Sequence, residues 1–224
     1  MSKAYYPIFL DLKGKKAVVV GGGMVAQRKI DTLLEHGAEV HVISKALTSK
    51  LDQEVKTGRV NLLGAEFRET QLDGAFLVIA ATDDTNLNRR VSRAAQKRGL
   101  LVNAVDQPED CNFIVPSSLE RGDLRIAVST SGKSPALARK VREDLERHFG
   151  REYELFLNLM GRMRKEILAR GLSQKENSRI FRELIGSSIL DALRGGEWEE
   201  AASALSNIIK IAYTPEDVRK FCEK

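Results

Sequence analysis

Short apolar runs and amphipathic stretches alternate along the first half of the chain. Lys16-Ala17-Val18-Val19-Val20 is bounded by Lys13-Gly14 and by a glycine triplet, as a strand buried on both faces should be. From Met24 to His36 the apolar positions Ile30, Leu33 and Leu34 gather on one side of a predicted helix, and Gly37 ends it. Further strands are predicted over 39–44, 60–63, 76–81 and 100–105, and further helices over 47–57 and 86–97, the last closed by Gly99. Strands alternating with helices at this spacing predict a parallel sheet with right-handed crossovers. The fold class is α/β, with a Rossmann-type doubly wound parallel sheet over residues 1–112.

The pattern then changes. Phe113-Ile114-Val115-Pro116 and the run 124–129 read as two extended segments of a hairpin, joined through Arg121-Gly122-Asp123. Pro116 would confine its strand to an edge or a bulge. A helix is predicted to begin near Ser134-Pro135, proline being tolerated in a first turn. From about residue 151 the chain reads as helical, punctuated by Gly171, Gly186 and Gly195-Gly196. The expected organisation is a small β/α module over 113–150 and a C-terminal helical domain over 151–224, with no internal repeat.

Bulk properties narrow the class. With 42% hydrophobic and 30% charged residues, the chain does not have the composition of a disordered protein. No apolar run approaches the roughly 18 residues of a membrane span. The opening Met1-Ser2-Lys3-Ala4-Tyr5-Tyr6 lacks the apolar stretch of a signal peptide, so a cytoplasmic protein with no membrane partner is expected. Cys111 and Cys222 lie far apart, and His36, His41 and His148 form no spaced cluster, so neither a disulfide framework nor a metal site is expected. The net charge of +5 suits an anionic partner. The cations are dispersed and no aromatic platform accompanies them, so nucleic acid is not expected, and a small polycarboxylate or phosphate ligand fits the charge as well.

The chemistry is concentrated in Gly21-x-Gly23-x-x-Ala26, which follows a predicted strand and opens a predicted helix through Met24 and Val25. The first glycine permits the tight turn, the second lets backbone approach a pyrophosphate, and Ala26 lets helix and strand pack closely. The helix N-terminus offers free N–H groups and partial positive charge to the phosphates. This context makes the turn a dinucleotide fingerprint. An acidic residue about 20 positions on would bind the ribose of NAD, but this chain has Ser44-Lys45 there. Ser44 can hydrogen-bond a ribose hydroxyl and Lys45 would favour a 2′-phosphate, although Lys45 reads equally well as a solvated charge. Cofactor preference is therefore open on the residues alone. After the fourth predicted strand, Thr82 and Asp83 are assigned to the cofactor side and Asp84 to a helix cap.

These residues carry a resemblance. The run from Leu12 to Lys29, the segments 80–84, 103–106 and 113–116, and Ser129-Thr130-Ser131-Gly132-Lys133-Ser134-Pro135-Ala136-Leu137-Ala138-Arg139 are similar, in the same order, to the precorrin-2 dehydrogenases of sirohaem synthesis. The likeness extends to about residue 150 and is loose beyond it. It implies NAD-dependent oxidation of precorrin-2 to sirohydrochlorin, with some members also inserting ferrous iron, and an intertwined homodimer held through the middle module. It tips the choice of cofactor towards NAD. Larger sirohaem synthases append a methyltransferase domain, for which this chain is expected to be too short. Asp106 matches the family's functional aspartate, and a carboxylate there can accept a proton as hydride leaves the substrate. On the residues alone, Asp106 reads as the start of a turn before Gln107-Pro108. Asn103, three residues earlier, is expected to hydrogen-bond substrate or cofactor. Ser129, Thr130, Ser131, Lys133 and Arg139 are expected to meet the carboxylates of the substrate, with a helix cap or solvated charge as the plainer reading of each.

Two other functions are compatible with the fingerprint. One is an NAD(P)-linked reductase of a different acidic substrate. The other is a nucleotide-sensing regulatory module that binds NAD without chemistry, which leaves Asp106 and the segment 129–139 without a purpose. No separate His or Cys set is available to hold iron, so chelatase activity is expected to be weak or absent.

Overall fold

The computed structural model describes residues 5–223. Met1 to Ala4, which entered the argument about a signal peptide, lie outside the described residues. The chain divides into two compact units, one running through Val115 and one beginning at Pro116.

The first unit is a five-stranded parallel sheet of β1 (Lys16–Val20), β2 (Glu39–Ile43), β3 (Val60–Gly64), β4 (Leu77–Ala80) and β5 (Leu101–Ala104), in the order β3-β2-β1-β4-β5. Helices α1 (Met24–Glu35), α2 (Ser49–Lys56) and α3 (Thr85–Lys97) connect them. The apolar runs sort by strand period. Val18, Val20, Val78, Ala80, Val102 and Ala104 pack with Val91, Ala94 and Ala95 of α3, whereas Ala17, Val19, Val40, Val42, Leu77 and Ile79 pack with Ala26, Ile30 and Leu33 of α1. Burial on both faces explains why these strands show no polar alternation. The order reverses between β1 and β4, and in open sheets of this kind that is where ligands bind, beyond the carboxyl ends of the strands.

The second unit opens with an antiparallel pair, β6 (Ser117–Arg121) and β7 (Leu124–Val128), in register from Ser117↔Val128 to Arg121↔Leu124. Gly122 at the turn has φ +57°, the left-handed value that a two-residue hairpin loop demands. The hairpin was expected one segment earlier, with Phe113–Pro116 as its first strand. Two things move it. The Phe113 carbonyl accepts from Asn103 Nδ2 at 3.1 Å, and its ring packs into the core beneath α1. Pro116, having no N–H, falls just before the first paired residue.

Helix α4 (Pro135–His148) follows the hairpin, and α5 (Glu152–Ala169), α6 (Gln174–Ile185), α7 (Ile189–Gly195), α8 (Trp198–Ile209) and α9 (Pro215–Cys222) complete the unit. The predicted punctuation holds: Gly186 and Gly196 are C-caps, and Gly196 takes φ +74°. Capping boxes at Ser173/Glu176 and Thr214/Asp217 start α6 and α9. Leu159, Met163, Ile167, Leu184, Ile189, Leu205 and Ile209 form a core of their own. Both cysteines are buried and neither forms a disulfide among the described residues, and burial pushes the Cys222 thiol up to about 12.

Met163 is fully buried at the centre of this helical core. Met163→Ala is expected to cost about 2–5 kcal/mol by the usual large-to-small cavity penalty. Urea denaturation checks this, and a midpoint unchanged from wild type would mean that the helical core does not stabilise the chain.

Candidate functional site

Several loops meet at the carboxyl edge of the parallel sheet. The β1 turn bonds to the strand beside it, Gly21 N–H to Ile43 O at 2.9 Å. Gly21 has φ +125°, and a Cβ on it would lie 2.3 Å from the Ala81 carbonyl oxygen. A Cβ on Gly22 would lie 2.2 Å from Ala46 O and 2.6 Å from Ser44 Oγ. Only glycine fits at either position. Gly23 differs: its φ of −81° suits any residue, and a Cβ there would meet nothing within 4 Å. Internal packing therefore does not require glycine at position 23, and open backbone of this kind suits the approach of a pyrophosphate.

Gly23 is also the N-cap of α1, and no side chain caps this end. The first intrahelical bond is Gln27 N–H to Gly23 O at 2.9 Å, which leaves the N–H groups of Met24, Val25 and Ala26 outside the helix ladder. Met24 is 63% exposed beside the turn, and Ala26 is fully buried against the sheet. These features fit a dinucleotide phosphate: open backbone, unpaired donors and the positive end of a helix.

The remaining cofactor-side residues are engaged to different degrees. Ser44 Oγ donates to Ala46 O at 2.6 Å, so towards a ribose it offers only acceptor capacity. Lys45 is exposed, with Glu66 Oε1 3.9 Å from its Nζ. Thr82 is clamped by Asn88, a buried residue of α3: Asn88 Oδ1 accepts from Thr82 N–H at 3.1 Å and from Thr82 Oγ1 at 2.7 Å, and Nδ2 returns a bond to Thr82 O at 2.9 Å. Asp83 is exposed beside it. Asp84 caps α3 by accepting from the N–H groups of Asn86 and Leu87, the role expected of it.

Asp106 lies just past β5, exposed, with φ +60°. Among the described residues no hydrogen bond or ion pair engages its carboxylate. Asn103 uses its amide N–H on Phe113 O, which leaves its side-chain oxygen as the group able to face a ligand. In the second unit, Ser129 Oγ accepts from Ser131 N–H, and Thr130 Oγ1 donates to Ser134 O while accepting from Ser134 N–H. Ser131 has φ +52°, and Lys133 is exposed. Arg139 pairs with Glu143 at 2.9 Å, one of three i,i+4 ion pairs along α4 with Lys140–Asp144 and Arg142–Glu146. The cationic face expected there is largely balanced by its own carboxylates. Arg139 and the neighbouring cations hold the Glu143 carboxyl below its ordinary range. No group of three His, Cys, Asp or Glu side chains gathers as a metal site among the described residues.

Sequence reasoning gave no role to Gly22 or Asn88. The glycine triplet signalled the first, but the second carries no signal beyond a polar residue on a helix. The two glycines make opposite predictions. Gly23→Val is expected to leave the folded structure intact and to weaken dinucleotide binding at least tenfold. Gly22→Ala is expected to destabilise the first unit by about 1–3 kcal/mol, the usual cost of overpacking. Calorimetric titration and thermal melting separate the two effects, and unimpaired binding by Gly23→Val would show that the turn does not hold the ligand.

Comparison with known proteins agrees with this geometry. A family described as putative NAD(P)-binding matches residues 8–117, and one described as sirohaem biosynthesis protein central matches residues 121–148. The chain is 41% identical over 201 residues to siroheme synthase 1 of Serratia proteamaculans, covering 90% of this chain and 42% of that protein. It is 38% identical over 212 residues to the siroheme synthase of Nitrosococcus oceani, covering 95% of this chain and 45% of that protein. The chain thus spans a little under half the length of these relatives. Among solved structures, SirC, a precorrin-2 dehydrogenase, superposes with a TM-score of 0.77 at 28% identity, covering 92% of this chain and all of that one. With a dinucleotide turn at the sheet's switch point and both family matches in sequence order along it, the chain belongs to the family of precorrin-2 dehydrogenases and sirohaem synthases.

Proposed function

We propose that this protein oxidises precorrin-2 to sirohydrochlorin with NAD, as a cytoplasmic homodimer in sirohaem synthesis. The observation that carries the reading is the shared carboxyl edge. An open glycine turn suited to a dinucleotide and an unengaged carboxylate, Asp106, both follow strands of one sheet. The match to a precorrin-2 dehydrogenase over almost the whole chain supports the substrate.

In this reading Gly21, Gly23, Met24, Val25 and Ala26 hold the cofactor's phosphates, Ser44 and Lys45 meet its ribose, and Thr82 and Asp83 border it. NAD supplies the hydride acceptor. Asp106 takes the proton that leaves the substrate, which is chemistry for a carboxylate not already committed to an ion pair. Asn103 orients the substrate through its side-chain oxygen. Ser129, Thr130, Ser131, Lys133 and Arg139 receive substrate carboxylates, with Lys133 the freest cation of the set because Arg139 also serves Glu143. Ferrous iron would enter as a second substrate only if the protein also chelates, and that activity is expected to be weak. The homodimer uses the 113–150 module. Its support is the two-stranded sheet β6-β7, since a pair of strands alone is marginal in water and its outer edges can take further strands.

Asp106→Asn is expected to bind NAD nearly as well as wild type while forming sirohydrochlorin about 10²-fold more slowly, the lower range for a positioned base. Any metal insertion into sirohydrochlorin should fall in the same variant. Assays of both steps test this, and an Asp106→Asn enzyme with wild-type dehydrogenation would remove the residue from the chemistry. Light scattering at micromolar concentration should give twice the 24.9 kDa chain mass. A monomer would rule out the dimer.

A further inference from the structure

Asp106 stands in a conformation that its own residue type favours only weakly, for a left-handed φ is uncommon outside glycine even though aspartate tolerates it better than most. The turn that carries it runs from Ala104 to Gln107 and is closed by a long bond, Gln107 N–H to Ala104 O at 3.3 Å. Beneath this turn lies the buried thiol of Cys111. Its Sγ accepts from Ala104 N–H at 3.1 Å and is 3.2 Å from Ala104 O and 3.3 Å from Gln107 O. The one thiol proton is therefore shared between the carbonyls of the two residues that flank Val105 and Asp106. A single side chain pins both ends of the turn.

The segment bearing the thiol is itself fixed on both sides. Asn112 acts as a surrogate strand against β5: its N–H reaches Val102 O at 3.0 Å, its Oδ1 accepts from Val102 N–H at 2.7 Å, and its Nδ2 donates to Leu100 O at 2.8 Å. On the other side the Asp110 carbonyl accepts from Ser92 Oγ and from Gln96 Nε2 of α3. A thiol held this rigidly has no freedom to follow the turn, so the turn must conform to the thiol.

We propose that Cys111 is a positioning residue for Asp106, holding the Ala104–Gln107 turn in the left-handed form that aims the carboxylate. The proposal rests on the catalytic reading of Asp106 given above. Removing the thiol frees the turn to leave the left-handed form and swing the carboxylate away, and a displacement of about 1 Å in a reacting group can cost on the order of 10²-fold in rate. The thiol also accepts a long bond from Asn103 Nδ2 at 3.7 Å, on the same strand as Ala104, β5. Cofactor binding should be spared, because the glycine turn lies beyond a different strand, β1.

The test is a double-mutant cycle in the full-length protein, with kcat and KM measured separately and NAD affinity measured by titration. Cys111→Ala is expected to lower kcat by about tenfold or more, with KM for precorrin-2 and the NAD affinity changed less than about threefold. Cys111→Ser, which keeps a donor and an acceptor, should recover most of the rate. In an Asp106→Asn background, Cys111→Ala should have no further effect. An equal fall in kcat in both backgrounds, with Asp106→Asn itself impaired, would overturn the positioning role and leave the catalytic reading standing. An Asp106→Asn enzyme as active as its parent would overturn both. Should Cys111→Ala fail to fold, Ser92→Ala cuts the tie at Asp110 instead. A smaller loss of kcat that vanishes with Asp106→Asn supports the proposal, and a loss that persists there contradicts it.

Discussion

Backbone packed directly against backbone at the end of β1 is the contact on which the rest of the first unit depends. Gly21 meets the Ala81 carbonyl and Gly22 meets that of Ala46, at separations where no Cβ could stand. This draws the loops after β1, β2 and β4 together at one edge. It fixes where α1 begins and leaves Gly23, the next residue, free of internal contacts. A helix N-terminus in open space, at the point where strand order reverses, is the arrangement a dinucleotide phosphate needs.

The same edge is completed by side chains that replace backbone partners. Asn88 supplies the bonds that hold Thr82 against the start of α3. Asn112 extends β5 with its amide, and the thiol of Cys111 caps the ladder at Ala104. Asn88 and Cys111 are buried, so their cost of desolvation is met only if each bond is made, whereas Asn112 is exposed. They turn irregular chain into a rigid frame for Asp106 without adding a strand. Rigidity of this kind would suit the proton-accepting role proposed for Asp106.

The parallel sheet was legible in the sequence because a strand buried on both faces leaves an apolar run with sharp boundaries, and 16–20 is such a run. The glycine turn was legible because its spacing has one steric explanation. The hairpin was misplaced because Phe113–Pro116 is as apolar as a strand, and nothing local reveals that Asn103 captures the Phe113 carbonyl. Ser44 was assigned to a ribose from its position, and its hydroxyl proton proves to be donated to Ala46 O. The balance of charge along α4 could have been read from the i,i+4 spacing of Arg139 and Glu143, whereas the roles of Asn88 and Cys111 depend on contacts that only the folded chain creates.

On this reading the carboxyl edge of the sheet binds NAD and presents an acidic tetrapyrrole to it for oxidation. Mixing the protein with precorrin-2 and NAD, and following NADH and the chlorin-like absorbance of sirohydrochlorin together, tests it most directly. Both are expected to appear in equal amounts, and neither when NAD is omitted. Binding of NAD with no change in either signal on addition of precorrin-2 would contradict it.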